Sequence, residues 1–374
     1  MSLSLSAQLG GPPPGPRPGD PLPGLTPAQV AAFRAGAEDF SEIESVADGL
    51  GPAFNGVSCS GCHNLPAVGG GGNVSVIRAG TQRGGQFEEP QGGSLIHLFS
   101  TPAHECQPRI PQNANVLARR VATPLFGAGL VEAIPDATLL ALERAAKPDS
   151  IRGRAAMVTD PVSRERRVGR FGWKAQHATL LAFAGDAYVN EMGITNDIFP
   201  TEVGAGFSAQ QLAACDTVAD PEDKRDPVTG LRGLDHFTNF MRFLAPAPRG
   251  QSTREGEQVF MAVGCASCHL PMLQTGPSAD PVFRNRPVAA YSDFLLHDVG
   301  TGDGIEQGGA RPNEIKTAPL WGLRLRKQLL HDGRALNVAD AIREHSGEAR
   351  MTRDRFDRLP PPERQALLAY LSTL

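Results

Sequence analysis

Apolar positions recur at helical spacing in a few well-marked stretches of the chain. Thr26 before Pro27 offers a capping hydroxyl and a proline at the first helical position, which predicts a helix through Val30, Phe33 and Ala37. Pro135-Asp136 opens another through Leu139, Leu142 and Ala146, and a longer helix is expected over Lys174 to Val189. In the second half Ser252 and Glu255 read as a capping box, after which Val259, Phe260 and Val263 share one face. Asn337 caps a short helix that ends near His345, and Pro361 to Leu374 closes the chain with Leu367, Leu368 and Leu371 on one side. Strand-like pieces are confined to Val74 to Ile77 and Leu95 to Phe99, among glycine-rich loops. The pattern predicts a mainly α fold with long loops and a few short strands.

Breaks in the pattern suggest the organisation. Residues 10 to 24 form a Gly/Pro tract that supports neither helix nor sheet, so residues 1–25 read as a disordered tail. Ala245-Pro246-Ala247-Pro248 reads as a linker between a first domain over 26–245 and a second over 246–374. At 374 residues the chain is long enough for two cores. Lys plus Arg number 36 against 40 Asp plus Glu, a balance that argues against a nucleic-acid partner. No apolar run approaches the roughly 18 residues of a membrane helix, so no transmembrane segment is expected. Ser2 to Gly10 has neither a basic region nor a long enough apolar run for a signal peptide.

The chemistry is carried by a pentapeptide that occurs twice, Cys59-Ser60-Gly61-Cys62-His63 and Cys265-Ala266-Ser267-Cys268-His269. Two thiols three positions apart can each add to one vinyl group of a porphyrin, and the next residue then offers an imidazole to the iron, which is the attachment pattern of c-type haem. A zinc site built from both cysteine pairs would not need a histidine after each, and a thioredoxin-like pair would need a strand-helix-strand setting that neither copy shows. The expectation is two covalently bound haem c groups in two cytochrome c-like domains, with His63 and His269 each filling one axial position. Covalent attachment in bacteria is coupled to export, so a periplasmic or exported protein is expected. Cys106 and Cys215 are able to pair in such an oxidising compartment, although spacing does not say whether they do.

Longer stretches resemble a known family. Pro319 to Leu323, Leu330-His331-Asp332-Gly333 and Ala339 to Ile342 are similar to the di-haem cytochrome c peroxidase superfamily, within it the branch of di-haem oxidoreductases once labelled thiol oxidoreductases. Phe54-Asn55-Gly56-Val57, Thr123 to Leu130 and Tyr291 to Gly300 also match, and coverage runs from about residue 26 to the end. The resemblance implies a reactive N-terminal haem, where hydrogen peroxide or another small oxidant is reduced, and a C-terminal haem that supplies electrons from a small cytochrome c or cupredoxin. It further implies a sixth ligand for the C-terminal haem at His345, fourteen residues after His331, where the peroxidases usually carry methionine. Met351 is the runner-up. Trp173 resembles the tryptophan between the haems and Glu191 the distal glutamate, with His177 as an alternative distal group; His97 and His104 compete for the first haem's sixth position. Gln328 replaces a proline near the backbone that helps hold calcium in the peroxidases, which leaves calcium open. A di-haem electron carrier, or an enzyme that oxidises a protein or organic substrate, are the competing functions.

Overall fold

The computed structural model describes residues 15–101, 105–216, 218 and 224–374, so His104 and the start of the expected tail lie outside the described residues. The expectation of a mainly α fold is corrected by the observed content, 32% helix and 15% strand. Much of the strand comes from the segment around Ser75–Arg83, which pairs antiparallel with Gln86–Glu88, Leu95–Ile96 and Val116–Val121. Val116–Val121 carries Arg119 and Arg120 among its apolar residues, so hydrophobic alternation was a poor guide there. A second hairpin joins Ala156–Thr159 to Arg166–Gly169, and Leu296–His297 pairs with Ile315–Lys316.

Helix Pro27–Asp39 starts as its sequence demands. The Thr26 hydroxyl accepts from the Gln29 backbone amide at 3.2 Å, and Gln29 Oε1 accepts from the Thr26 backbone amide at 2.8 Å. It packs on helix Gly233–Phe243 at Gly36, where an added Cβ would stand 2.2 Å from the His236 carbonyl oxygen. Phe33 and Phe40 pack with tilted rings against Phe240 beside this contact. Asp136–Arg144, Val338–Arg343 and Pro361–Leu371 also appear near their expected positions. Helix Arg254–Val263 is capped by Thr253, one residue beyond Ser252.

The long helix expected over Lys174 to Val189 is shorter and starts later. Residues 171–177 instead make a tight turn, with Phe171 bridged to His177, and α-helix runs only over Leu180–Ala187 before widening into a single π turn at Tyr188–Met192. The main apolar core gathers Phe33, Leu130, Phe171, Leu180 and Phe240 with Phe283, Phe294 and Trp321, so it draws on both sides of the Ala245–Pro248 stretch. A separate core of Phe260, Tyr291, Phe356, Leu367 and Tyr370 lies in the C-terminal segment. Cys106 and Cys215 are joined in a disulfide, closing a sequence separation of 109 residues. Among the described residues no helix is long and apolar enough to cross a membrane.

Candidate functional site

The two cysteine pairs line separate apolar cavities of about 1210 and 1250 Å³. That separation prevents the pairs from sharing one zinc ion. The first cavity is built where helix Pro27–Asp39 delivers Phe40, whose carbonyl accepts from the Ser60 amide and whose ring stands edge-on to His63 at 6.1 Å. The glycine-rich run after the motif folds tightly back: a Cβ at Gly72 would meet the Cys62 carbonyl oxygen at 2.0 Å. This close turn brings the Gly70 carbonyl to His63, whose Nδ1 donates to it at 3.0 Å. The bond commits the imidazole proton to Nδ1 and leaves the Nε2 lone pair for a metal.

The second cavity repeats this device twice. Helix Arg254–Val263 ends at Gly264, in the left-handed conformation, and the chain turns directly into Cys265. His269 Nδ1 donates to the Tyr291 carbonyl at 3.0 Å, and His345 Nδ1 donates to the Ala341 carbonyl at 2.7 Å. Both rings line the same cavity, and burial together with the neighbouring His345 pushes the His269 pKa down to about 4. Neutral imidazoles are what iron requires. Met351 lies in helix Arg350–Arg358, is 37% exposed and does not line the cavity.

Glu191 lines the first cavity, with its carboxylate bound by Asn55 Nδ2 at 2.7 Å. The π turn sets it there: the Glu191 carbonyl accepts from the Asn55 amide at 2.7 Å, tying the turn to the chain just before Cys59. Burial raises the Glu191 pKa, opposed by the Asn55 hydrogen bond and by Arg78. His177 does not line this cavity. It is buried against Phe183 and Phe199 and pairs with Asp186 at 2.9 Å. His97 is also turned elsewhere, its Nε2 meeting the Asn190 carbonyl at 2.9 Å. Among the described residues His63 is the single imidazole on the walls of the first cavity.

Trp173 lines both cavities. Its Nε1 donates to the Val121 carbonyl at 2.9 Å, its own carbonyl accepts from the Lys316 amide at 2.9 Å, and its ring stands edge-on to His331 at 6.2 Å. The next residue, Lys174, is fully buried; its ammonium donates to the carbonyls of Arg311, Pro312 and Glu314 at 3.0, 3.3 and 2.7 Å and pairs with Asp303 at 3.0 Å. At this junction between the two halves the bridging cation is an ammonium.

These features fit haem. Each cavity pairs two thiols with an imidazole of fixed tautomer, and burial holds the Cys59 and Cys265 thiols up near about 12, so they sit protonated in an apolar slot. Asn55 stood inside a matching stretch of sequence without a role. Lys316 and Arg326, which also line the second cavity, had no local signal because lone basic residues are usually solvated.

A family model described as di-haem oxidoreductase, putative peroxidase matches residues 96–374. Among solved structures, the chain is similar to hydrazine synthase of Kuenenia stuttgartiensis, at 15% identity with 100% of this chain and 99% of that chain covered and a TM-score of 0.44. It is also similar to the diheme peroxidase BthA of Burkholderia thailandensis, at 13% identity with 92% and 86% covered and a TM-score of 0.40. No curated protein sequence matches. The matched segment takes in the second cysteine pair and its histidine, His345, Trp173 and Glu191, and the chain belongs to the di-haem oxidoreductase family.

Proposed function

We propose that this chain is a di-haem c-type peroxidase that reduces hydrogen peroxide in the cavity of His63 and Glu191, with electrons relayed from the cavity of His269 and His345. Cys59 and Cys62 would hold one haem and Cys265 and Cys268 the other, with His63, His269 and His345 as iron ligands. Haem iron, once bound, supplies the redox chemistry in both cavities.

The observation that carries the reading is the asymmetry of the two cavities. Four imidazoles line the second, and two of them, His269 and His345, have Nδ1 committed to backbone while His297 is held by Asp293 and Glu348, a set suited to an iron that stores and passes electrons. The first presents one imidazole and two carboxyl groups, of which Asp186 is taken by His177 and Glu191 is left to an oxidant. Peroxide must move a proton from one oxygen to the other before its O–O bond splits, and Glu191, held by Asn55, would take that proton and return it. Trp173, on the wall of both cavities, supports a role as relay. A simple electron carrier would need a second strong ligand beside His63; with His97 and His177 engaged elsewhere, that ligand would have to be a thioether, Met192 or Met241, on the cavity wall. Oxidation of a protein or organic substrate would use the same cavity and differs only in where the oxidising power goes. The Cys106–Cys215 bond supports an exported protein, which would meet a small cytochrome c or cupredoxin as donor.

Optical and EPR spectra of holoprotein, matured in a host that attaches haem c, test this directly. The expected result is one high-spin ferric signal that is lost on peroxide addition, with turnover when a reduced donor is supplied. Two low-spin haems inert to peroxide at every redox poise would leave the electron carrier.

A further inference from the structure

Two cations in the wall of the second cavity have no carboxylate of their own. Lys316 is 6% exposed, and its ammonium rests 5.6 Å from the centre of the Phe294 ring. The Arg326 guanidinium lies 6.0 Å from the centre of the Trp173 ring. Neither makes an ion pair among the described residues. The acid whose field reaches Lys316, Asp293, is already held by Lys147 at 2.6 Å and His297 at 3.0 Å. Both cations also border a smaller cavity of about 620 Å³ that lies against Trp173. Burial lowers Lys316 to about 8 and Arg326 to about 10. A buried charge without a partner is costly, and the cost is recovered only when an opposite charge arrives.

We infer that Lys316 and Arg326 form the seat for the two carboxylates of the C-terminal haem. The inference rests on the di-haem reading above and adds to it the residues that orient this haem and set its potential. The charges match, two cations for the two propionates of one haem. Lys316 comes from the strand that pairs with Leu296–His297, and its backbone amide holds the Trp173 carbonyl, so the same strand fixes both the seat and the indole. Positive charge beside the carboxylates favours the reduced iron, so the seat raises the reduction potential of the haem that must deliver electrons. It also bears on Trp173: uncompensated cations against the indole oppose removal of an electron from it, and seated carboxylates cancel that effect.

The test uses holoprotein of the parent and of Lys316→Met, Arg326→Met, Lys316→Arg and Arg326→Lys. Covalent haem is read by mass and both midpoint potentials by spectroscopic redox titration. Each methionine variant is expected to lower one potential by about tenfold in the reduction equilibrium, about 59 mV for one electron, and to leave the other haem unmoved. The charge-retaining variants are expected to stay near the parent. Methionine variants that carry both haems with unmoved potentials overturn the inference. If the methionine variants fail to mature, retained haem in the charge-retaining pair supports it, and loss in all four overturns it. A parent potential that shifts on adding inorganic phosphate would show a seat open to mobile anions and also overturns it. A parent with no covalent haem sinks the di-haem reading instead.

Discussion

At the scale of single residues, Glu191 carries the sharpest expectation. In the proposed reaction it accepts a proton, so its working form would be the carboxylate, and burial raises its pKa above the usual 4.5. Peroxide reduction should therefore fail at a higher pH than an ordinary glutamate would impose, as acid protonates the group. Asn55 binds the ionised form and so lowers this pKa; Asn55→Ala should move the acid limb of the rate profile to higher pH, and an unmoved limb would remove Asn55 from the site. Glu191→Gln should cut the rate of peroxide cleavage by about 10²- to 10⁴-fold without bleaching either haem, measured by stopped-flow mixing. His345→Ala should change the spectrum of one haem only. The cysteines and their histidines were legible because thiol spacing is local in the chain. The pairing of Asn55 with Glu191 was not, because it joins positions 136 residues apart.

Elements were legible where one helix carried its own punctuation, as at Thr26-Pro27 and Asn337, and obscure where tertiary contacts decided. The stretch Lys174 to Val189 has helical periodicity, yet its first residues are claimed by the Trp173 turn and its end widens into the π turn that aims Glu191. The strands around Ser75–Arg83 were underestimated for a similar reason: Arg78 and Arg120 point inward to partners, Ser94 and Asp303, and so break the apolar alternation that marks a strand. The helix pair at the first cavity gives a direct check. Gly36→Ala would place a methyl group 2.2 Å from the His236 carbonyl oxygen, which forces the two helices apart. A loss of about 1–3 kcal/mol is expected, visible as a lower denaturant midpoint, and because Phe40 follows this helix the haem proposed at His63 should lose spectral definition before the other. An alanine variant as stable as the parent would mean that the contact yields more easily than its geometry implies.

For the whole molecule, the question is what holds the two cavities in fixed relation, and the buried network beside Trp173 answers it. Asp303 takes Lys174 on one oxygen and Arg120 on the other, at 3.0 and 2.7 Å, while the Lys174 ammonium gathers three carbonyls of the 311–314 loop. Arg120 belongs to the N-terminal sheet and Asp303 to the C-terminal segment, so one carboxylate and one ammonium tie the halves together at the residue next to the proposed relay. Sequence gave no hint of this, since a lysine after a tryptophan is ordinarily a solvated side chain. Lys174→Met keeps the stem but strands Asp303 and the carbonyls, at a cost of roughly 3–5 kcal/mol for breaking a buried pair. The pH dependence has a definite sign. Burial brings the Lys174 pKa down from 10.5 to about 8, so between those values the folded chain binds fewer protons than the unfolded one and this group makes stability rise with pH. The variant should lose that rising limb in denaturant titrations at a series of pH values. It should also slow electron equilibration between the haems after partial reduction, because Trp173 loses its neighbouring anchor while the Asn55–Glu191 pair is untouched. A variant that keeps both the alkaline limb and the parent's equilibration rate would show that the junction is held elsewhere.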